Sequence, residues 1–338
     1  MKTIIISGEK RVEIIEQEMP VRKKGEALLK MVVGGICGSD LSTYRGKQAY
    51  ATFPVIPGHE IAAEIVDIDE NARGLKPGML VTVNPYFNCG KCYSCRHGKV
   101  NCCENNQTMG VQRDGAFSEY FVVPAERVID GKGLTAERLA LVEPFCIGYH
   151  GVKRADIQKD EKVLIIGAGT IGLCAAVSAN IRGAEVYMAD VSEEKLKYAS
   201  DHFQINGTIL NDHKGAIVEA VETCTGGDGF DVTVEAVGLN STFMDCIDGL
   251  AFGGKIIQVG VGKNNVDFPF LMIQKKEMNI YGSRNALTED FDEAIQMISD
   301  GTIDMDALIT NEYSYEEAAE AFAHFDKNPN AIKTLLKW

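Results

Sequence analysis

The sequence predicts an α/β protein in which a largely antiparallel β domain is followed by a doubly wound parallel sheet. The chain has 338 residues, which is enough for about two domains. Residues 1–145 contain short β patterns punctuated by glycine and proline, with no long helical pattern between them. From about residue 160 onward, strand and helix patterns alternate, which is typical of a parallel sheet covered by helices.

The individual elements follow from these patterns. In the first part, β patterns span 26–33, 61–68, 79–84 and 118–123. In the alternating part, strands are predicted at 162–166, 185–189, 208–210, 230–235, 255–261 and 279–281, with helices such as 193–203 and 215–224 between them. Two acidic amphipathic helices, 289–300 and 315–325, and a short strand at 332–337 complete the chain.

Composition excludes several classes of protein. Hydrophobic residues make up 45% of the chain and charged residues 24%, which excludes a disordered chain or a coiled coil. The net charge of −14 repels phosphate backbones, so we expect no nucleic-acid partner. The uncharged stretch 163–181 is interrupted by Gly167, Gly169 and Gly172, and we therefore interpret it as a buried strand and helix and expect no membrane partner.

The ten cysteines suggest metal binding. The first residues, MKTIIISGEK, lack the long apolar run and the cleavage site of a secretory signal, so we expect a cytoplasmic protein. In that reducing compartment, clustered cysteines bind metal more often than they form disulfides.

Four of these cysteines lie close together, in CGKCYSCRHGKVNCC: Cys89, Cys92, Cys95 and Cys103. Their spacing can place four thiolates around one tetrahedral zinc ion. A closed shell of this kind leaves no position for a substrate, so we predict a structural site. The alternatives are an iron–sulfur cluster, and Cys102 in place of Cys103 as the fourth ligand.

A second set of candidate ligands is dispersed along the chain. It comprises Cys37 in GGICGSD, His59 and Glu60 in PGHE, and Glu143 in LVEPF. Each residue alone is ordinary, but a thiolate, an imidazole and a carboxylate together suit a zinc ion that keeps one position open. Asp40 could orient the His59 ring. Ser39 could hydrogen-bond an oxygen held on the metal.

A glycine motif, Gly167-Ala168-Gly169-Thr170-Ile171-Gly172, follows an apolar strand and opens a helical pattern. This context is typical of a dinucleotide site in which the pyrophosphate lies at the helix N-terminus. Asp190 closes the next strand, 18 residues beyond Gly172, and can accept hydrogen bonds from the adenosine ribose. Because residues 191–194 (VSEE) add acidic groups and no arginine, the sequence favours NAD over NADP.

Together these three signals resemble the zinc-dependent medium-chain dehydrogenase/reductase family. The match runs through GICGSD, PGHE, the cysteine lobe, DGAFSEY, EPF, IGAGTIG and GSRN, and so covers nearly the whole chain. The seven-residue gap before the fourth lobe cysteine is the family's spacing, which selects Cys103. The resemblance implies a GroES-like catalytic domain, 1–147 and 284–338, with a structural-zinc lobe at 88–104. It also implies a Rossmann NAD-binding domain at 148–283.

The resemblance implies a mechanism and a set of site residues. Cys37 and His59 would bind a catalytic zinc, with either Glu60 or Glu143 completing the shell, so we expect two zinc ions per chain. Ser39 would take the proton of the alcohol, and hydride would pass to the nicotinamide. Val237, Val259 and Gly260 would contact the cofactor. The family's usual histidine three residues after the relay serine is replaced by Ser42, so the outer relay would use water, Ser42 or Tyr44.

The same resemblance bears on substrate and assembly. Glu143, in place of a third cysteine ligand, points to the polyol branch of the family. EPF together with GSRNA and GVQRDGAFSEY looks most like sugar-acid oxidoreductases of the L-galactonate type. Sorbitol, threonine or butanediol oxidation and a non-catalytic NAD-binding regulator are the alternatives. Arg113 and Arg284 are candidate partners for a substrate carboxylate or, alternatively, surface or cofactor contacts. We expect a homodimer or homotetramer.

Overall fold

The computed structural model describes residues 1–48 and 52–338, which divide into two compact units. The first unit is Met1–Glu143 together with Leu287–Trp338, and the second is Pro144–Ala286. The unit boundaries therefore lie three or four residues from the predicted positions, 147/148 and 283/284.

The strands and helices of the described residues are numbered here in chain order. The strands are β1 Lys2–Gly8, β2 Arg11–Glu16, β3 Glu26–Ile36, β4 Glu60–Ile68, β5 Leu80–Val83, β6 Tyr86–Phe87, β7 Gln107–Thr108, β8 Tyr120–Pro124, β9 Val128–Asp130, β10 Lys162–Ile166, β11 Glu185–Asp190, β12 Gly207–Leu210, β13 Phe230–Glu235, β14 Leu250–Gln258, β15 Asn279–Gly282, β16 Ile309–Ser314 and β17 Lys333–Lys337. The helices are α1 Gly38–Tyr44, α2 Tyr93–Arg96, α3 Ala136–Ala140, α4 Val142–Arg154, α5 Thr170–Asn180, α6 Glu193–His202, α7 Ala216–Thr225, α8 Asn240–Gly249, α9 Leu271–Lys276, α10 Thr288–Ser299 and α11 Ala318–Lys327.

The first unit is built on a largely antiparallel sheet, as predicted. Its strand order is β16-β17-β3-β4-β5-β9, and β8 also pairs with β3. The long strand β3 is the centre of the sheet, because β4, β8 and β17 all pair with it in antiparallel register. Apolar side chains that mostly alternate along β3 and β4 contribute to the core of this unit, together with Phe117 and Phe322.

The carboxyl-terminal strand β17 returns to the middle of this sheet. Thr334 pairs with Ile36 and Lys337 with Val33, so the last residues of the chain lie beside the end of β3. Sequence patterns predicted the strand but not its partner, since pairing between residues about 300 positions apart leaves no local signal.

The second unit contains the predicted doubly wound parallel sheet. Its strand order is β12-β11-β10-β13-β14-β15, and every pairing in it is parallel. The apolar stretch 163–181 forms most of β10 and all of α5, as predicted. Within residues 1–48 and 52–338, no helix has the length and apolar character needed to span a bilayer.

Several predicted bounds were wrong. Strand β14 begins at Leu250 and ends at Gln258, against a predicted 255–261, because the segment AFGGK extends the strand despite its two glycines. Helix α11 begins at Ala318, after a short 3₁₀ turn at 315–317. Helix α4, Val142–Arg154, was not predicted.

Candidate active site and cofactor site

Three of the predicted metal ligands meet at the end of β3. Cys37 precedes α1, and His59 and Glu60 lie at the start of β4, where Glu60 pairs with Gly35. A ligand atom from each of Cys37, His59 and Glu60 lies within 4.8 Å of the other two. Gly35 permits this approach, because a Cβ at that position would clash with the Glu60 carboxylate.

The donor chemistry of this group fits zinc. It combines a thiol, an imidazole and a carboxylate, and His59 and Glu60 are buried. Three neighbouring buried atoms, the Oγ of Ser39, Oδ1 of Asp40 and Nδ1 of His59, have no hydrogen-bond partner in the described chain. Polar atoms without partners are uncommon in a folded interior, and here they mark a site that the protein alone does not satisfy.

Asp40 does not make the predicted hydrogen bond to His59. Its Oδ2 instead accepts a hydrogen bond from the backbone N–H of Cys37 at 2.9 Å. This bond fixes the start of α1 and thereby the direction of the Cys37 side chain. Burial raises the pKa of the Asp40 carboxyl, and the charge of nearby His59 opposes this shift.

Lys333 is a buried cation at this site that sequence patterns did not predict. Its Nζ donates to both carboxylate oxygens of Glu60, at 2.7 and 2.6 Å, and lies 3.3 Å from the carbonyl of Ile36. The two side chains are only 2% and 1% exposed. The pairing of β17 with β3 brings this lysine to the site. Two lysines, Lys333 and Lys337, in the otherwise largely apolar segment IKTLLKW were the only signal in the sequence.

Glu143 occupies a separate position beside this group. It is the second residue of α4, is 4% exposed, and is not among the three residues whose ligand atoms lie within 4.8 Å of one another. The hydroxyl of Tyr86 donates a hydrogen bond to its Oε1. Burial raises the pKa of Glu143 to about 7. Glu60 and Glu143 are thus each engaged by a different partner, a lysine and a tyrosine.

The predicted relay residues follow Cys37 along α1. The Oγ of Ser39 is buried and is among the atoms that have no hydrogen-bond partner in the described residues. Tyr44, at the end of α1, is buried and its ring packs on Phe322. The route beyond Ser39 stays a prediction.

The four lobe cysteines come together around α2. Ligand atoms of Cys89, Cys92, Cys95 and Cys103 all lie within 4.8 Å of one another, and Cys102 is not part of the group. The backbone N–H groups of Lys91 and Cys92 lower the pKa of the Cys89 thiol to about 6, which favours the thiolate that binds metal. The four sulfurs have the donor set of a closed tetrahedral site.

The second unit contains a cavity of 390 Å³ at the carboxyl ends of its parallel strands. Gly167, Asp190 and Val237, three of the predicted cofactor residues, line it. The cavity is also lined by four residues that sequence patterns did not predict: Asn211, His213, Lys214 and Asp245. Three of these residues follow β12, and Asp245 lies on α8. Their place in the same cavity as Asp190 depends on the strand order of the folded sheet, which the sequence does not show.

The glycine motif forms a tight turn before α5. Gly167 has φ of +109°, and a Cβ on Gly172 would clash with the carbonyl of Gly167. Gly169 immediately precedes α5, where a Cβ would meet nothing, so this backbone is open to a ligand. Thr170 and Ile171 are the first residues of the helix. The turn and helix N-terminus have the form of a phosphate-binding element.

Asp190 closes β11 at the edge of this cavity. Its Oδ2 accepts a hydrogen bond from the N–H of Ala168 at 2.7 Å, and its Oδ1 accepts one from Ser192 at 2.9 Å. These bonds hold the carboxylate in one orientation. Val259 and Gly260, which follow β14, both donate their N–H groups to the carbonyl of Glu235.

The two predicted substrate arginines have different surroundings. Arg113 stacks on the ring of Phe87 at 3.7 Å and lines a cavity of 530 Å³ in the first unit. Phe87 and Tyr86 are adjacent on β6, so their side chains point to opposite faces, and only Tyr86 reaches Glu143. None of the predicted metal ligands lines the Arg113 cavity. Arg284 is exposed and lies two residues beyond β15.

Comparison with known proteins identifies the family. Residues 23–132 match the alcohol dehydrogenase GroES-like domain, and residues 170–300 match the zinc-binding dehydrogenase family. The chain is 34% identical over 322 residues to L-galactonate-5-dehydrogenase of Escherichia coli K12, covering 95% of this chain and 94% of that protein. It is 30% identical over 332 residues to a sorbitol dehydrogenase of Halalkalibacterium halodurans, covering 97% and 96%.

Solved structures agree with this assignment. An alcohol dehydrogenase of E. coli CFT073 complexed with NADH superimposes with a TM-score of 0.92 at 29% identity, covering 100% of this chain and 99% of that one. The chain therefore belongs to the zinc-dependent medium-chain dehydrogenase/reductase family and is a dehydrogenase.

Proposed function

We propose that this protein oxidises a secondary alcohol of a polyol or sugar acid, such as L-galactonate or a similar hexonate, with NAD as the hydride acceptor. The observation that carries the proposal is the group formed by Cys37, His59 and Glu60, whose donors suit a zinc ion with a position open to substrate. The similarity to L-galactonate-5-dehydrogenase supports the choice of substrate class.

In this proposal Cys37 and His59 hold the catalytic zinc, together with Glu60 or Glu143. When bound, zinc supplies a Lewis acid that polarises the alcohol oxygen. Ser39 would accept a hydrogen bond from the alcohol at its Oγ, which has no other partner in the described residues, and pass its own hydroxyl proton to the nicotinamide ribose as it takes the proton of the alcohol, so that it ends unchanged as the first member of a relay. Lys333 neutralises Glu60, so a thiolate and two carboxylates can lie close together without an excess of negative charge.

The second unit binds the cofactor in this proposal. Gly167, Gly169, Thr170, Ile171 and Gly172 receive the pyrophosphate at the start of α5. Asp190 accepts the ribose hydroxyls and disfavours the 2′-phosphate of NADP, so we expect a preference for NAD. Val237, Val259 and Gly260 border the nicotinamide half.

We propose that Cys89, Cys92, Cys95 and Cys103 hold a second, structural zinc ion, which gives two zinc ions per chain. Each sulfur is already placed by the loop around α2, so zinc would close the lobe without any vacant position. All ten cysteines are outside disulfides, which agrees with the reducing cytoplasm that we expect as the compartment of this protein.

We propose that a second copy of the chain covers the edge of the parallel sheet. Strand β15 ends the strand order among the described residues, and Ile280 on it is 40% exposed. Three more large apolar side chains of the second unit are exposed: Phe252 on β14, and Phe270 and Leu271 at the start of α9. An edge strand beside large exposed apolar side chains favours association. The double variant Phe270→Asp/Leu271→Asp should reduce the oligomer in sedimentation, and an unchanged mass would contradict this interface.

The test of the activity is a substrate panel. Zinc-loaded protein is incubated with NAD and with hexonates, alditols, threonine and vicinal diols, and NADH formation is followed by its near-ultraviolet absorbance. We expect the highest kcat/KM with a hexonate or an alditol. Cys37→Ser should abolish turnover while NAD binding persists. Turnover with none of these alcohols would refute the proposal and leave a non-catalytic NAD-binding protein.

Replacing the two arginines tests the sugar-acid specificity. If Arg113 or Arg284 binds a substrate carboxylate, its change to Met should raise KM for aldonates by about tenfold or more and leave KM for uncharged alditols unchanged. Equal effects on both substrate classes would exclude a carboxylate contact.

A further inference from the structure

Glu235 is a buried carboxylate that lies outside the metal site. It is the last residue of β13 and is 0% exposed. Its Oε1 accepts hydrogen bonds from the backbone N–H groups of Val237 at 3.0 Å and Gly238 at 2.8 Å, and from the hydroxyl of Thr242 at 2.6 Å. Its Oε2 accepts a hydrogen bond from the side-chain amide of Gln258 at 2.6 Å.

The backbone N–H groups of Val237 and Gly238 and the amide of Gln258 can only donate, so both oxygens of Glu235 act as acceptors, as those of a carboxylate do. The hydroxyl of Thr242 also lies 2.9 Å from the carbonyl of Leu239, and its single proton serves one of the two acceptors. In residues 1–48 and 52–338, no lysine, arginine or histidine forms an ion pair with Glu235, in contrast to the pairing of Glu60 with Lys333. A buried anion is normally paired with a cation, since uncharged donors alone offset only part of its lost hydration.

The position of Glu235 connects it to the cofactor loops. Val237 and Thr242, which donate to it, line the 390 Å³ cavity beside Asp190. On its other side, Gln258 bonds both to Glu235 and, at 2.8 Å, to the carbonyl of Gly260. A Cβ on Gly260 would clash with the Glu235 carboxylate, so that backbone packs directly on the anion.

We propose that Glu235 is a positioning residue whose negative charge strengthens the binding of NAD⁺ relative to the binding of NADH. The inference rests on the proposed function, in which Val237, Val259 and Gly260 border the nicotinamide. The two forms of the cofactor differ by one positive charge on the nicotinamide ring. Under the proposed function, NAD⁺ would therefore bring toward Glu235 a positive charge that no side chain of residues 1–48 and 52–338 supplies through an ion pair.

The experiment cancels the charge of Glu235 in two ways, by removing it and by adding a positive charge beside it. Glu235→Gln deletes the negative charge with nearly the same shape, and Gln258→Lys adds a cation that keeps a donor near both Glu235 and Gly260. Thr242→Val is the matched control, because it removes one hydrogen bond to the same carboxylate and leaves the charge in place. NADH affinity is measured by its fluorescence on binding and NAD⁺ affinity by competition with NADH, each with zinc content recorded.

We expect both charge variants to raise the ratio of Kd for NAD⁺ to Kd for NADH by about tenfold, and the control to change both constants together. A general loosening of the loops would weaken both cofactor forms equally. A ratio within about twofold of wild type in the folded charge variants would overturn the inference, and either variant alone suffices if the other does not fold. Wild-type protein that binds neither cofactor form would instead overturn the proposed function, and this inference with it.

Discussion

The ion pair of Lys333 with Glu60 offers the sharpest test of how the metal site is stabilised. Lys333→Met removes the ammonium group and keeps a flexible apolar side chain of similar length. Because the lysine and glutamate side chains are only 2% and 1% exposed, Glu60 is left as a buried charge without its counter-ion. Breaking such a pair costs about 3–5 kcal/mol, so we expect the free energy of unfolding to fall by about that amount.

The single tryptophan allows the loss of unfolding free energy to be measured in the first unit, which contains Lys333. Trp338 belongs to the first unit and stacks on Tyr315, so its fluorescence reports urea unfolding of the sheet that holds Lys333. Metal-free protein is used, so that zinc does not replace the lost cation.

Glu60→Gln combined with Lys333→Met supplies the control. The double variant contains neither charge, so we expect it to be more stable than Lys333→Met alone by about 2 kcal/mol or more. The reasoning would be refuted by a loss below about 1 kcal/mol in Lys333→Met, or by strictly additive effects in the double variant.

Three further predictions concern the lobe, the cofactor cavity and the second carboxylate. We expect wild type to bind two zinc ions per chain and Cys92→Ser to bind one, with a lower unfolding temperature; lost activity with both ions retained would contradict a structural role. Asp190→Gly should weaken NAD binding and reduce the preference for NAD over NADP, and an unchanged ratio of the two kcat/KM values would show that Asp190 does not contact the ribose. Tyr86→Phe leaves the buried Glu143 carboxyl without its hydroxyl donor, so urea unfolding should show a loss of about 1–3 kcal/mol, whereas wild-type stability would indicate that this hydrogen bond contributes nothing.

The local motifs predicted much of the candidate site because each lies within a short segment. The turn at Gly167 and the helix start at Thr170 follow from residues within six positions of one another. The cysteine lobe is equally compact, but its spacing left Cys102 and Cys103 open, and only the resemblance to the family selected Cys103, whose sulfur lies with those of the other three cysteines. The dispersed set was harder. Ligand atoms of Cys37, His59 and Glu60 lie within 4.8 Å of one another and Glu143 lies outside that group, but which carboxylate binds the metal stays a prediction. Asp40 bonds to the backbone of Cys37 in place of His59.

By itself, the sequence determined the two kinds of sheet, the glycine turn, the cysteine lobe and the family of this protein, because these depend on residue type and local spacing. Only the tertiary structure decided the charge balance. It paired Lys333 with Glu60 across 273 positions, assigned Tyr86 to Glu143, and left Glu235 without a cation in the described chain. The physical reason is that a buried charge is stabilised by whichever groups the fold brings within a few ångströms, and strand pairing between distant segments sets those neighbours.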